Sequence, residues 1–276
     1  MRGGAGDEAV AADPAAGGAA GSGAARPGGT ADPARLADHL AGWLHAEVTA
    51  GGGEGVVFGL SGGIDSAVVA ALALRAFPET SLGILMPCHS DPRDAADAHL
   101  VAGAFGLPTE TVDLGPIHDL LLDTLAAARP DMRDDRLTGA NLKPRLRMMT
   151  LYAFANRLGY RVLGTGNLSE LTIGYFTKYG DGGVDLLPLG ELTKTEVRAL
   201  ARHLAVPQPV IDKPPSAGLW AGQTDEGEMG LTYDELDAYL LGRGADPAAA
   251  ARIESMRAAS AHKRALPKVA PKPAER

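Results

Sequence analysis

Short apolar runs alternate with longer amphipathic stretches along this chain. Residues 56–60, Val56-Val57-Phe58-Gly59-Leu60, form a continuous apolar run of strand length bounded by glycines. A strand buried on both faces has this pattern. Residues 82–86, 111–114 and 160–164 give three further strand-length runs. Helical stretches lie between them. One covers 66–77. The next is capped at Ser90 or Asp91, carries Pro92 early and stops at Gly106. Two more cover 117–128 and 144–158. Ahead of the first strand, Asp32 suits an N-cap and Pro33 the first helical position, and Leu36, Leu40, Leu44 and Val48 make one stripe. Thr193-Lys194-Thr195-Glu196 and Thr232-Tyr233-Asp234-Glu235 each read as a capping box opening a helix. Strands alternating with helices predict an α/β fold, a Rossmann-like three-layer sandwich with a central parallel sheet. Ligands of such sheets sit outside the strand C-termini, at a switch point.

The first strand runs straight into Ser61-Gly62-Gly63-Ile64-Asp65-Ser66. Strand, glycine turn and helix in that order aim backbone N–H groups and a helix N-terminus at one place, which is an anion site. Glycine lets the backbone approach a phosphate closely. Two serine hydroxyls add donors, and Asp65 can hold a divalent cation. No lysine follows, so this is not the phosphate loop G-x-x-x-x-G-K-[ST]. The segment 164–170, Gly164-Thr165-Gly166-Asn167-Leu168-Ser169-Glu170, follows another strand and falls at the same end of the sheet.

Composition narrows the setting. A chain of 276 residues is long enough for one sizeable α/β core. A net charge of −8 argues against a surface that coats nucleic acid, so any phosphate site is a local basic patch on an acidic body. Cys88 is the one cysteine, which excludes an internal disulfide and a cysteine-based metal site. It fits a reducing compartment, and the cytoplasm is the expected location. No apolar stretch approaches the length of a membrane span. Residues 1–31, mostly Ala and Gly, lack the basic start and apolar core of a secretory signal and read as a disordered leader. Folding is expected over 32–266, followed by a flexible tail at 267–276.

The stretch 174–183, Gly174-Tyr175-Phe176-Thr177-Lys178-Tyr179-Gly180-Asp181-Gly182-Gly183, is too glycine-rich for a regular element. By itself it reads as a flexible lid or substrate loop presenting a lysine and two aromatics. S-G-G-x-D-S resembles the pyrophosphate loop of the ATP-pyrophosphatases. Joined to F-T-K-Y-G-D-G-G, to Asn141-Leu142-Lys143-Pro144-Arg145-Leu146-Arg147, to 164–170 and to His262-Lys263-Arg264, the whole is similar to ammonia-dependent NAD synthetase over roughly 33–267.

The resemblance implies a site. Gly59, Leu60, Ser61, Gly62, Gly63, Ile64, Asp65 and Ser66 would bind ATP, with Thr165, Lys194 and Ser216. Asp65 and Glu170 would hold Mg²⁺. Arg145, Lys178, Asp185, His262 and Lys263 would bind deamido-NAD. Asp65, Glu170, Lys178 and Lys194 would carry the chemistry. Ile64 departs from the glutamine common at its position, and Ser216 from a common threonine. The implied reaction joins ATP, deamido-NAD and ammonia through an acyl-adenylate, in a homodimer. It involves no nucleic acid and no membrane. Glutamine-dependent relatives carry a glutaminase domain with a catalytic cysteine. The leader has no cysteine, so free ammonia is the expected nitrogen source. The alternatives are another ATP-pyrophosphatase, amidating or tRNA-thiolating, and a non-catalytic nucleotide sensor.

Overall fold

The computed structural model describes residues 32–220 and 222–272. The expected leader lies outside the described residues, as do the last four residues of the expected tail. Residues 267–272 have no regular secondary structure and are exposed.

In chain order the elements are α1 Pro33–Ala50, β1 Gly55–Gly59, α2 Ile64–Ala76, β2 Ser81–Leu85, α3 Pro92–Phe105, β3 Thr109–Thr111, α4 Gly115–Ala128, α5 Arg136–Leu158 and β4 Tyr160–Leu163. There follow α6 Leu168–Ile173, α7 Lys194–His203, α8 Gln208–Asp212, α9 Asp225–Met229, α10 Tyr233–Leu240 and α11 Pro247–Ala259. The four strands are all parallel, in the order β3-β2-β1-β4. Strand order reverses between β1 and β4, so the loops leaving these two strands flank the switch point.

The side chains of β1 explain the three layers. Val56 and Phe58 belong to one core cluster, with residues of α1, α2, α3 and α7. Val57 points the other way, into a second cluster with Leu146, Leu151 and Ala155 of α5. Both faces are covered, as the unbroken apolar run required. A third cluster, Ile173, Met229, Leu231, Tyr233, Leu236 and Ile253, joins α6 to α9, α10 and α11. None of the described helices is long and apolar enough to cross a membrane.

Several boundaries differ from expectation, most by one or two residues. The helix expected from Pro144 starts earlier, at Arg136, and Pro144 lies inside it. Asp135 supplies the cap, its side chain accepting from Leu137 N at 3.1 Å, so the proline costs one interior hydrogen bond without ending the helix. α2 begins at Ile64, two residues ahead of the expected start. The third strand is Thr109–Thr111 rather than 111–114. Beyond it, Val112 N and Leu114 N still reach Leu85 O and Pro87 O at 2.9 and 2.8 Å, so the segment stays beside the sheet.

Candidate active site

The glycine loop is shaped by its own polar groups. Ser66, 2% exposed, donates to Gly63 O at 2.9 Å, and its Oγ lies 3.1 Å from Ser61 Oγ. Ser61 N donates to Ser66 Oγ and Gly63 N to Ser61 Oγ, each at 3.3 Å. Gly62 has φ +77°, and a Cβ there would stand 2.3 Å from Asp94 O. Only glycine fits that position. The loop thus leads into the N-terminus of α2 with Asp65 in its first turn.

The loop after β4 is organised by a capping box. Asn167 Oδ1 accepts from Glu170 N at 3.1 Å, and Glu170 Oε2 accepts from Asn167 N at 3.2 Å. Asn167 is fully buried, and its Nδ2 donates to Asp65 Oδ1 at 3.0 Å. It ties the two switch-point loops together.

Lys194 comes from the first turn of α7, whose N-cap is Thr193. Its side chain is 1% exposed, and Nζ lies 2.5 Å from Asp65 Oδ2 and 3.5 Å from Glu170 Oε1. A cation at a helix N-terminus is opposed by the helix dipole. Here Asp237 offsets that: Oδ2 accepts from Thr195 N at 2.7 Å, and Oδ1 accepts from Ser169 Oγ at 2.6 Å. Burial works against the Lys194 ammonium, but the Asp65 and Glu170 carboxylates outweigh it and hold its pKa above normal.

Burial pushes the Glu170 carboxyl up to about 7. Lys194 opposes this, while Asp65 and Asp225 add to it. Tyr233 OH stands 3.1 Å from Glu170 Oε1 and 2.9 Å from Asp225 Oδ2. One phenolic proton serves only one of these acceptors. Asp225 is 5% exposed, burial raises its pKa, and its Oδ1 has no hydrogen-bond partner. Three carboxylates therefore share one ammonium and one phenol. The hard oxygen set and the orphaned buried oxygen fit a divalent cation held by Asp65 and Glu170, with Asp225 alongside.

Asp65, Glu170, Lys194 and Asp225 line a cavity of about 630 Å³. Gly59, Leu60, Ser61, Gly63, Ile64, Asp65, Ser66, Thr165, Glu170, Lys194, Ser216 and Lys263 all face it. Gly62 is absent from its wall. Arg145, Lys178, Asp185 and His262 do not line it either. Arg145 and His262 are exposed. Lys178 Nζ donates to His262 O at 2.6 Å, and Arg145 Nη2 reaches Lys178 O at 3.5 Å. Asp185 accepts from Tyr152 OH at 2.9 Å and Val162 N at 2.8 Å, along the edge of β4.

The stretch 174–183 is pinned rather than loose. Lys263 Nζ donates to Gly174 O and Phe176 O at 2.7 and 2.6 Å, and Thr177 N donates to Asp181 Oδ1 at 2.9 Å. Sequence reasoning missed Asn167, Asp225, Tyr233 and Lys213. Lys213 lines the cavity while paired to Asp94 and Asp97 at 2.8 and 2.6 Å. The Asn-x-x-Glu spacing at 167–170 was a readable capping-box signal for Asn167.

A parallel sheet with a glycine loop and a helix N-terminus at its switch point defines the class: a nucleotide-binding α/β protein of the adenine nucleotide alpha hydrolase-like fold. The buried Asp65–Lys194–Glu170 cluster beside that loop narrows it, and sequence comparison supplies the family. The family model described as NAD synthase matches residues 36–267. The chain belongs to that family. It is 50% identical over 232 residues to the NH(3)-dependent NAD(+) synthetase of Carboxydothermus hydrogenoformans, spanning 84% of this chain and 95% of the relative. To the enzyme of the same name from Syntrophomonas wolfei it is 46% identical, over 88% and 98% of the two chains. Among solved structures, the NMN synthetase of Francisella tularensis superposes with a TM-score of 0.83 at 38% identity, over 87% of this chain and 98% of that one. The NH3-dependent NAD synthetase of Campylobacter jejuni gives a TM-score of 0.72 at 28% identity, over 87% and 100%.

Proposed function

We propose that this chain amidates deamido-NAD with ammonia, consuming ATP and releasing NAD, AMP and pyrophosphate. The observation that carries the proposal is the convergence of the glycine loop, Asp65, Glu170 and Lys194 on one cavity in a member of this family. ATP phosphates would lie at the N-terminus of α2, where loop N–H groups and the helix dipole favour anions. A nicotinate carboxylate oxygen then attacks the α-phosphorus. The bond to the bridging oxygen breaks, and pyrophosphate leaves with the electron pair. Ammonia attacks the resulting acyl-adenylate carbonyl, AMP departs, and the nitrogen loses a proton.

Negative charge builds on the leaving pyrophosphate. Lys194 and the loop N–H groups would oppose it, and stabilising charge where it develops is usually the largest catalytic contribution. Mg²⁺ at Asp65 and Glu170 would supply further charge neutralisation at the phosphates. Asp225 Oδ1, left without a partner, supports a cation there.

Arg145, Lys178, Asp185 and His262 lie outside this cavity, so we assign them to a dinucleotide site completed by a second copy of the chain. Ile117 and Leu120 on α4 and Leu137 and Met149 on α5 are large apolar side chains left exposed, which supports a homodimer. A scattering mass near 28.4 kDa, that of one chain, would refute it. The synthetase domain is taken as 32–266, acting in the cytoplasm.

The test is product formation from ATP, Mg²⁺ and deamido-NAD, with ammonium in one tube and glutamine in another. NAD with ammonium alone is the expected result. AMP and pyrophosphate without NAD would reject the acceptor, and no ATP turnover would favour the nucleotide sensor. The likeness to an NMN synthetase favours one second reading, amidation of nicotinate mononucleotide. A parallel tube with that acceptor decides it, by which substrate gives the larger kcat/KM.

A further inference from the structure

We infer that His89, His118 and Asp119 form a second metal site, outside the nucleotide cavity, for a nitrogen-preferring divalent cation such as Zn²⁺ or Co²⁺. His89 lies in the loop after β2, and His118 and Asp119 lie near the N-terminus of α4. Their ligand atoms are all within 4.8 Å of one another. None of the three lines the nucleotide cavity.

The hydrogen bonds of His118 carry the argument. The residue is 6% exposed. Its Nε2 lies 3.0 Å from Gly139 O, and its Nδ1 lies 3.3 Å from Asp119 Oδ1. A carbonyl oxygen only accepts, so Nε2 carries the hydrogen. In a neutral imidazole Nδ1 is then a bare lone pair, and it faces a carboxylate oxygen. The same oxygen is 2.8 Å from His89 Nε2. His89 can satisfy its contact by donating from Nε2–H, but a neutral His118 cannot, because its hydrogen is already committed to Gly139 O. A cation among the three removes the conflict. Nδ1 gives it the lone pair, while Nε2–H stays on the Gly139 carbonyl. Such an outer hydrogen bond is the usual device that fixes a ligating histidine's tautomer and orientation.

The spacing suits a small cation. Zn–N and Zn–O bonds of about 2.0–2.1 Å in a tetrahedron place ligand atoms about 3.3 Å apart. The His118–Asp119 pair is at 3.3 Å already. The His89–Asp119 pair needs to open by about 0.5 Å on the same arithmetic. Their side chains are 50% and 58% exposed, so they are free to do so. Two imidazoles and one carboxylate favour Zn²⁺, Co²⁺ or Ni²⁺ over Mg²⁺, with water in the remaining position. A cation here would clasp the loop after β2 to α4. That loop also carries Ser90, which lines the cavity and accepts from Arg147 Nη2 at 3.3 Å. The clasp would therefore brace one wall of the nucleotide site.

The test is titration of the chelator-treated full chain with Co²⁺, read by visible absorption and by calorimetry. Three variants run beside it: His89→Ala, His118→Asn, and Glu170→Gln as a control at the nucleotide site. The expected result is one Co²⁺ per chain with the intense bands of tetrahedral coordination, separate from any Co²⁺ at the Asp65–Glu170 carboxylates, displaced by Zn²⁺ and not by Mg²⁺. Glu170→Gln should retain the bands, and His89→Ala should weaken binding at least tenfold. His89 is half exposed, so its variant keeps the test valid if His118→Asn fails to fold. His89→Ala should also still form NAD. The proposal is overturned if the bands are absent, or if His89→Ala binds as the parent does. It is also overturned if NMR finds both His118 ring nitrogens protonated at pH 7 and indifferent to Zn²⁺, which would make the cluster an imidazolium–carboxylate pair.

Discussion

Lys194→Met removes the ammonium that bridges Asp65 and Glu170 while roughly keeping side-chain volume. Stranding a fully buried charge pair costs about 3–5 kcal/mol. The carboxylates here are 18% and 16% exposed, and Glu170 has an escape by taking a proton, so the cost depends on pH. Burial raises the Glu170 carboxyl from 4.5 to about 7 with Lys194 holding it down. A pKa raised on folding gives stability that is full below the unfolded value and lost as pH rises through the folded one. In the parent that loss levels off above about 7. In the variant the folded pKa climbs further, so the loss continues at about 1.4 kcal/mol per pH unit. The expected destabilisation is about 1–2 kcal/mol at pH 6, chiefly from Asp65, and about 3 kcal/mol at pH 8. At about 2–4 °C per kcal/mol for a chain of this size, the gap in Tm should widen by roughly 3–5 °C between the two pH values. The assay is thermal unfolding of both proteins at pH 6 and pH 8, with and without Mg²⁺. Mg²⁺ should narrow the gap by replacing the lost charge. A gap identical at both pH values and indifferent to Mg²⁺ would refute the reasoning.

The remaining predictions concern the loop, the lysine outside the cavity and the metal. Gly62→Ala forces a left-handed φ and puts a methyl 2.3 Å from Asp94 O. It should cost about 2–5 kcal/mol and abolish ATP binding by calorimetry, so parental ATP affinity would contradict the loop geometry. Lys178→Ala should cut kcat by about 10² and leave the ATP Kd within about twofold, because Lys178 does not line the nucleotide cavity. Unchanged turnover would remove its assigned role. The Mg²⁺ concentration giving half-maximal AMP formation should rise as pH falls below 7, by up to about tenfold per unit, since a proton on Glu170 competes with the metal. A flat requirement between pH 6 and pH 8 would show that Glu170 does not bind it.

The sheet and the switch-point loops were legible because their causes are local. An unbroken apolar run means a strand covered on both faces, and glycines after it mean a tight turn. Asp65, Glu170 and Lys194 are far apart in sequence; the glycine loop and the Thr193 cap were readable locally, but placing the three in one site came from the family resemblance, and the 167–170 capping box went unread. Asp225 and Tyr233 were illegible for the opposite reason. Tyr233 was read as a helix-opening residue, which it is. Its 0% exposure and its reach to Glu170 depend on α9 and α10 packing against α6. The pinned stretch 174–183 is a similar case. Its glycines read as freedom, but Lys263, 89 and 87 residues later, closes it by donating to Gly174 O and Phe176 O.

Lys194 shows why local rules fail at this site. A lysine in the first turn of a helix is out of place electrostatically, and a fully buried one is costlier still. Both objections disappear once Asp65, Glu170 and Asp237 are brought to that helix start by three other elements. The compensation overshoots. Around one ammonium stand Asp65, Glu170 and Asp225, so with every acid ionised the cluster carries an excess of two negative charges in a mostly buried place. The fold tolerates this by letting Glu170 hold a proton up to about pH 7 and by leaving Asp225 Oδ1 unpartnered. Neither concession helps stability. Both make sense if the cluster is completed by a cation, which displaces the proton, takes the orphaned charge and presents a positive face to the phosphates at the end of α2. On this reading the excess negative charge would favour a phosphate that arrives together with its metal.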